Sequence, residues 1–252
     1  MKKATLILFT IAIVGGAITT ANAQSTPGDG WFKRNVAGAF QIQGTYRESK
    51  LGQLNDILAK NNLAPLSDNN YWLNLSMSHI HKNWLFEDGL GGTFTSASKN
   101  PNNFKVLYNQ FQLYTRAGYN LSKSVNYRLY PFLGLNLSQA MLRIQDNPRT
   151  QSTSDFSSEL LNSTSSKTLW NPRFGLELGG GFDYIIKLKE KQMDCYTIQR
   201  NIPIGFRIGY YLQVTDSNWK IDDNYNLNNG PNNKQSNIFV SLNIGLGYAV
   251  KK

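Results

Sequence analysis

Apolar and polar side chains alternate with a two-residue period along most of this chain, and the last such run holds it for thirteen positions. Over residues 238–250, Ile238, Val240, Leu242, Ile244, Leu246, Tyr248 and Val250 are apolar, while Phe239, Ser241, Asn243, Gly245, Gly247 and Ala249 between them are mostly small or polar. Successive side chains of a strand point to opposite faces, so this segment presents one greasy face and one that is not.

The same period predicts seven earlier strands. The first, residues 35–47, sets Val36, Phe40, Ile42 and Tyr46 against Gln41, Gln43, Thr45 and Arg47. The second, 71–81, sets Tyr71, Leu73, Leu75 and Met77 against Asn74, Ser76 and Ser78. In the third, 84–96, Trp84, Phe86, Leu90 and Phe94 share a register into which Asp88 also falls. A bulge at Asp88-Gly89 is the simplest repair. The fourth, 106–121, opposes Leu107, Phe111, Leu113, Ala117 and Tyr119 to Tyr108, Gln110, Gln112, Tyr114 and Arg116. The fifth, 125–142, opposes Tyr127, Leu129, Leu133, Leu135 and Leu137 to Arg128, Tyr130, Asn136 and Ser138. The sixth, 169–186, has Trp170, Phe174, Leu176, Leu178, Phe182 and Tyr184 opposite Asn171, Arg173, Glu177 and Asp183. The seventh, 198–214, has Ile202, Ile204, Phe206, Ile208, Tyr210 and Leu212 opposite Arg207, Gly209, Tyr211 and Gln213.

The connections alternate long and short. Residues 48–70, the polar stretch around Lys99-Asn100-Pro101-Asn102-Asn103, the Ser/Thr-rich 143–168 and the Asn/Asp-rich 215–234 are long; Lys82-Asn83 and 122–124 are tight. The connection at 187–197 is longer than the others on its side. Within 48–70, Leu51, Leu54, Ile57 and Leu58 recur at helical spacing and Pro65 ends the segment, which predicts a short amphipathic helix.

Residues 1–23 read as a secretory signal, with Lys2 and Lys3, an apolar run over 4–18, and Ala21-Asn22-Ala23 before the cut. The mature chain then starts at Gln24, leaving about 229 residues for one domain, and no cysteine stands at the junction to carry a lipid. Beyond it no apolar stretch approaches the roughly 20 residues a spanning helix needs. The mean hydropathy of −0.39 looks soluble, but alternating faces cancel in any average. Export, alternation, an even strand number and long-short connections predict an all-β fold: a closed antiparallel eight-stranded transmembrane β-barrel of the outer membrane. Its helix lies in the first extracellular loop.

Magnitudes assign the faces. Arg116, Arg128, Arg173 and Arg207 all fall opposite the apolar side. Turned to lipid, each would cost about 2–4 kcal/mol near the midplane. Enclosed with Glu177 and Asp183, they predict a charge network in a lumen narrow enough to be filled by side chains. A plug of paired charges and a gated anion path are the two readings of that network. The apolar-register aromatics gather at strand ends: Trp84, Phe86, Tyr119, Tyr127, Tyr184 and Tyr248 at the short-turn end, Tyr46, Tyr71, Phe94 and Trp170 at the other. Two interfacial girdles are expected from this, and the bland alternative is strand aromatics in a soluble core.

The formal charge is +10, or +8 without the signal. For an exported barrel this points to outer-membrane lipids and lipopolysaccharide, not to nucleic acid. Assembly of such a barrel implies the barrel-assembly machinery as a partner. The single Cys195 cannot form an internal disulfide. His79 and His81 share a strand face but lack a third ligand, and both sit at the end away from where a lipid-modifying enzyme would need its base. Asp222, Asn224, Asn226 and Asn228 alternate like a calcium loop, yet Leu227 replaces its turn glycine and Asn233 its bidentate Glu. Gly179-Gly180-Gly181 marks a bend, a bulge or close packing under a large lumen residue. No catalytic residue, cofactor or metal is expected.

On Leu54-Asn55, Leu58, Pro65-Leu66-Ser67, the 219–231 loop and the terminal Gly245-Leu246-Gly247-Tyr248, the chain resembles small outer-membrane barrels of the OmpA/OmpX-like class. It is similar in particular to a group common in Gram-negative Bacteroidetes. The resemblance implies a location and a fold, with no common activity to carry over. The leading expectation is a non-enzymatic integral outer-membrane protein whose loops 48–70 and 215–234 form an outward surface for an extracellular ligand. A narrow porin-like channel and a soluble exported ligand-binding barrel are the alternatives.

Overall fold

The computed structural model describes residues 36–93, 96–99, 104–146, 166–193, 196–215, 217–221, 225–231 and 234–251. The signal segment, Phe94, Cys195, Asp222, Asn224 and Asn233 lie outside them. Strands β1 (Val36–Glu48), β2 (Asn69–His81), β3 (Trp84–Thr93), β5 (Phe104–Tyr119), β6 (Tyr127–Asp146), β7 (Ser166–Met193), β8 (Tyr196–Gln213) and β11 (Ser236–Lys251) form the wall. Each pairs antiparallel with the next, and the pairing of β1 with β11 closes the ring, so no wall strand is left as an edge. Helix α1 (Gly52–Lys60) and the short strands β4 (Ser96–Lys99), β9 (Lys220–Ile221) and β10 (Tyr225–Asn226) all stand at the long-loop end.

The period-two pattern explains the wall because each wall strand keeps its parity across both neighbours, save where β7 and β8 run on past Lys187. Phe40, Ile42, Leu75, Leu113, Leu133, Ile208, Leu242 and Ile244 point outward and are exposed. Their sequence neighbours Gln41, Gln43, Ser76, Gln112, Arg207, Ser241 and Asn243 are buried inside. This inverts the usual soluble arrangement, and the apolar belt runs round the ring through register pairs such as Ile42↔Leu75, Ile42↔Ile244 and Leu113↔Leu137.

Inside, large residues need small ones beside them. A Cβ at Gly89, Gly175 or Gly181 would overlap the ring of Tyr114, Tyr211 or Tyr130 in turn. In the triple-glycine stretch, Gly181 therefore provides close packing against the Tyr130 ring.

Several expectations require correction. Strand β3 carries no bulge: Met77↔Asp88 and Asp88↔Thr115 lie in uninterrupted register, and Asp88 is exposed on the outer face. The reason is Glu87, which must point inward, while Leu90 must point outward; a bulge between them would turn one of them to the wrong side. The long 187–197 connection is built largely of strand. β7 and β8 continue as a hairpin to Met193 and Tyr196, with a register shift between Lys187 and Glu190. The polar stretch after β3 also contains β4, paired with residues 105–108 of β5. Part of each of the loops 48–70 and 215–234 folds over the barrel mouth, α1 from the first and Trp219 from the second.

Candidate functional site

The interior changes character along its axis. At the short-turn end, Arg128 is half-buried and stands directly across from Asp183 on β7. Asp183 accepts hydrogen bonds from Tyr130 Oη (3.0 Å) and Asn243 Nδ2 (3.1 Å). Above this pair lies a fully buried ionic cluster. Arg116 reaches Glu177 through Nε (2.7 Å) and Glu87 through Nη1 (3.1 Å), and Arg207 Nη2 reaches the second oxygen of Glu87 at 2.9 Å. Amides complete the shell. Gln43 Nε2 donates to Glu87 (2.7 Å), Asn136 Nδ2 to Glu177 (2.7 Å), and Arg207 Nη2 to Gln41 Oε1 (2.9 Å). Burying charges this deeply is tolerable only when each meets a partner and further hydrogen bonds.

Glu87 links the two arginines, and the sequence-derived network omitted it. The signal was there: the parity that sets Asp88 outward sets Glu87 inward. Arg116 also lies over the ring of Tyr114, its guanidinium carbon 4.1 Å from the centroid.

Arg173 does not join this cluster. It sits nearer the long-loop end, where Nε donates to Asn171 Oδ1 (2.7 Å) and Nη1 to Gln110 Oε1 (3.4 Å). Arg47 is its counterpart across the lumen, held between the rings of Trp72 and Tyr211 at 4.4 Å from each centroid. Gln110 Nε2 donates to Ser49 Oγ (2.9 Å), which joins the Arg173 side to the end of β1.

The mouth above is closed by apolar contact. Leu51, Leu54, Leu58 and Leu66 pack against Val106, Tyr108, Ala140, Leu142 and Trp219, all buried. The helical spacing of Leu51, Leu54 and Leu58 thus faces downward into the barrel, not to a partner outside. Asn55 ties the returning chain to the helix by exchanging hydrogen bonds with Leu66, and Asp68 accepts from Leu51 N–H at 3.0 Å. Asn62, at φ 57°, ends the helix ahead of Pro65. Gln235 exchanges hydrogen bonds with the backbone of Lys50, fixing the lid to the top of β11. The 215–234 loop contributes Trp219 to the closure, and β9 lies along Leu169 and Trp170 of β7.

The aromatic positions divide by end. Trp84, Phe86, Tyr119, Tyr127, Tyr184 and Tyr248 are exposed on the outer wall near the short turns, with Trp84 touching both Phe86 and Tyr119. At the other end Tyr46 and Tyr71 are exposed and in contact, whereas Trp170 is half-buried and its backbone pairs with Lys220. His79 is exposed and His81 half-buried beside the Lys82-Asn83 turn. Among the described residues no His, Cys, Asp or Glu cluster has the makings of a metal site.

Neither a protein-family model nor a curated protein matches the chain. Among solved structures, the chain is similar to Neisserial surface protein A, at 13% identity over 86% of this chain and 97% of the other, with TM-score 0.37. It is also similar to Ail, the attachment invasion locus protein of Yersinia pestis, at 12% identity over 86% and 99%, with TM-score 0.40. A major outer membrane protein from Thermus thermophilus matches at 12% identity over 84% and 98%, with TM-score 0.38.

Proposed function

We propose that this chain is a non-enzymatic integral outer-membrane barrel protein whose lumen is a closed plug, serving as a structural or surface-interaction element of the cell envelope. The apolar belt carries the reading. A greasy exterior, interrupted by Asp88 on β3, around a buried polar interior is stable in hydrocarbon and costly in water, and a closed ring leaves no wall strand with an open edge. The aromatic rows at the strand ends support interfacial anchoring in lipid and lipopolysaccharide.

The plug is supported twice: by the Arg116–Glu87–Arg207 cluster across the lumen and by α1 across the mouth. What remains for an extracellular ligand is the polar side of the lid. There Gln53, Asp56 and Lys60 are exposed, as are Tyr225, Asn226 and Asn228 on the last loop. Both histidines stand at the opposite end, which supports a role without acid–base chemistry.

Two measurements test this. Detergent-extracted protein should migrate faster unheated than boiled on a gel, as a closed barrel does, and recovery in a detergent-free soluble fraction would overturn the membrane assignment. In planar bilayers the folded protein should pass no steady current, and stable single-channel steps would overturn the plug.

A further inference from the structure

Five guanidinium groups and three carboxylates face the interior among the described residues: Arg47, Arg116, Arg128, Arg173 and Arg207 against Glu87, Glu177 and Asp183. All three acids belong to the half near the short turns. Arg47 and Arg173, only 6% and 4% exposed, have no carboxylate within ion-pair distance among the described residues. Glu177, the acid highest on β7, is already held by Arg116 and Asn136.

Donors predominate among the unmatched atoms in this half. Arg173 Nη2, Trp72 Nε1 and Trp219 Nε1 are buried donors without an acceptor among the described residues, and the Tyr108 hydroxyl, which can donate or accept, is unmatched as well; Asn109 Oδ1 is an unmatched acceptor in the outward register of β5. In the other half acceptors also go unmatched: Gln43 Oε1, Asn136 Oδ1 and Asn243 Oδ1, beside Arg207 Nε and Nη1. The Arg47 guanidinium carbon lies over the rings of both Trp72 and Tyr211, which leaves its N–H edge as the part a ligand would meet.

An arginine cannot shed its proton to escape burial. Two buried cations joined by orphaned donors need an anion, and the interior excess of two positive charges matches a dianion. We propose that the upper lumen binds one small tetrahedral oxyanion of the phosphate or sulfate class between Arg47 and Arg173, beneath α1. Planar guanidinium edges from two directions suit its oxygens, and the leucine lid keeps competing water out.

The test uses the protein folded in zwitterionic micelles, with inorganic phosphate titrated at constant ionic strength against chloride. The midpoint of the heat-modifiable gel shift should rise with the logarithm of phosphate once the site is occupied, and the ³¹P line should broaden. Arg173→Gln and Arg47→Gln should each weaken the apparent affinity by roughly tenfold or more, and Arg200→Gln, on the exposed outer face, should leave it unchanged. Sulfate should compete with phosphate. No phosphate response in the wild-type protein, an equal response to chloride, or an undiminished response in Arg173→Gln would each overturn the proposal. Since the wild-type titration alone can refute it, the test survives a variant that fails to fold. The membrane assignment stands or falls separately, on gel migration and fractionation.

Discussion

In the half of the barrel near the short turns, every interior carboxylate touches a cation or a hydrogen-bond donor, and one acid, Glu87, serves two arginines at once. In the half under the lid, Arg47 is wedged between aromatic rings and Arg173 is held by amides, with no acid beside either among the described residues. The same eight strands build both halves. What differs is which inward positions carry acids, since β3 and β7 supply Glu87, Glu177 and Asp183 low on the wall and nothing comparable above. One half therefore balances its charges within itself; the other holds two buried cations under a roof of leucines.

The strongest way to break this contrast is Glu87→Gln. It leaves Arg116 and Arg207 buried against each other with one acid fewer, and should cost about 3–5 kcal/mol. Urea unfolding in micelles would measure it, and adding Arg207→Gln to the same chain should recover part of the loss.

The roof is next. Leu54→Asp places a carboxylate inside the Leu51, Leu58, Val106 and Trp219 contact. It should unseat α1 at a local cost of about 2–5 kcal/mol, comparable to losing a core leucine. Trypsin cleavage at exposed Lys60 should accelerate by roughly a hundredfold while the barrel's heat-modifiable migration stays as it was. Should the whole barrel destabilise instead, the lid and wall form one cooperative unit and the division into halves is too sharp.

Arg173→Met should have the smallest effect. In buffer free of phosphate and sulfate it removes a buried cation without stranding an acid, so stability should move by about 1 kcal/mol or less, in either direction. A loss as large as that of Glu87→Gln would mean that the upper chamber also holds a tightly paired charge.

The wall was legible because parity is local. Leu242 cannot face outward unless Asn243 faces inward, and that constraint places strands and faces before any pairing is known. Parity also held what was needed to find Glu87, but the misfit at Asp88 masked it, since a bulge there would reset which neighbours point inward. The direction of the α1 leucines was not legible. Helical spacing says that a greasy side exists, not whether it meets a partner or the top of its own barrel. That depends on Val106, Tyr108 and Ala140 lying inward near the top of β5 and β6, which is a fact of register between distant strands. The separation of Arg173 from the acids was legible in part: on β7, Arg173 and Glu177 share a face four residues apart, roughly 13 Å along the strand. The register with β6, which sets Ser138 across from Arg173 and Gly134 across from Glu177, then shows that no acid stands opposite Arg173 on that side.

Closure through β1 and β11 also governs how the molecule comes into being. The side-chain hydrogen bond between Thr45 and Ser241 spans 196 positions of sequence, so the first strand made must wait, its hydrogen-bonding rim unpaired, until the last has been synthesised. Contacts of such long range fold slowly. An unpaired rim beside a greasy surface invites aggregation, so joining the two ends of the chain removes the hazard that the outer face creates.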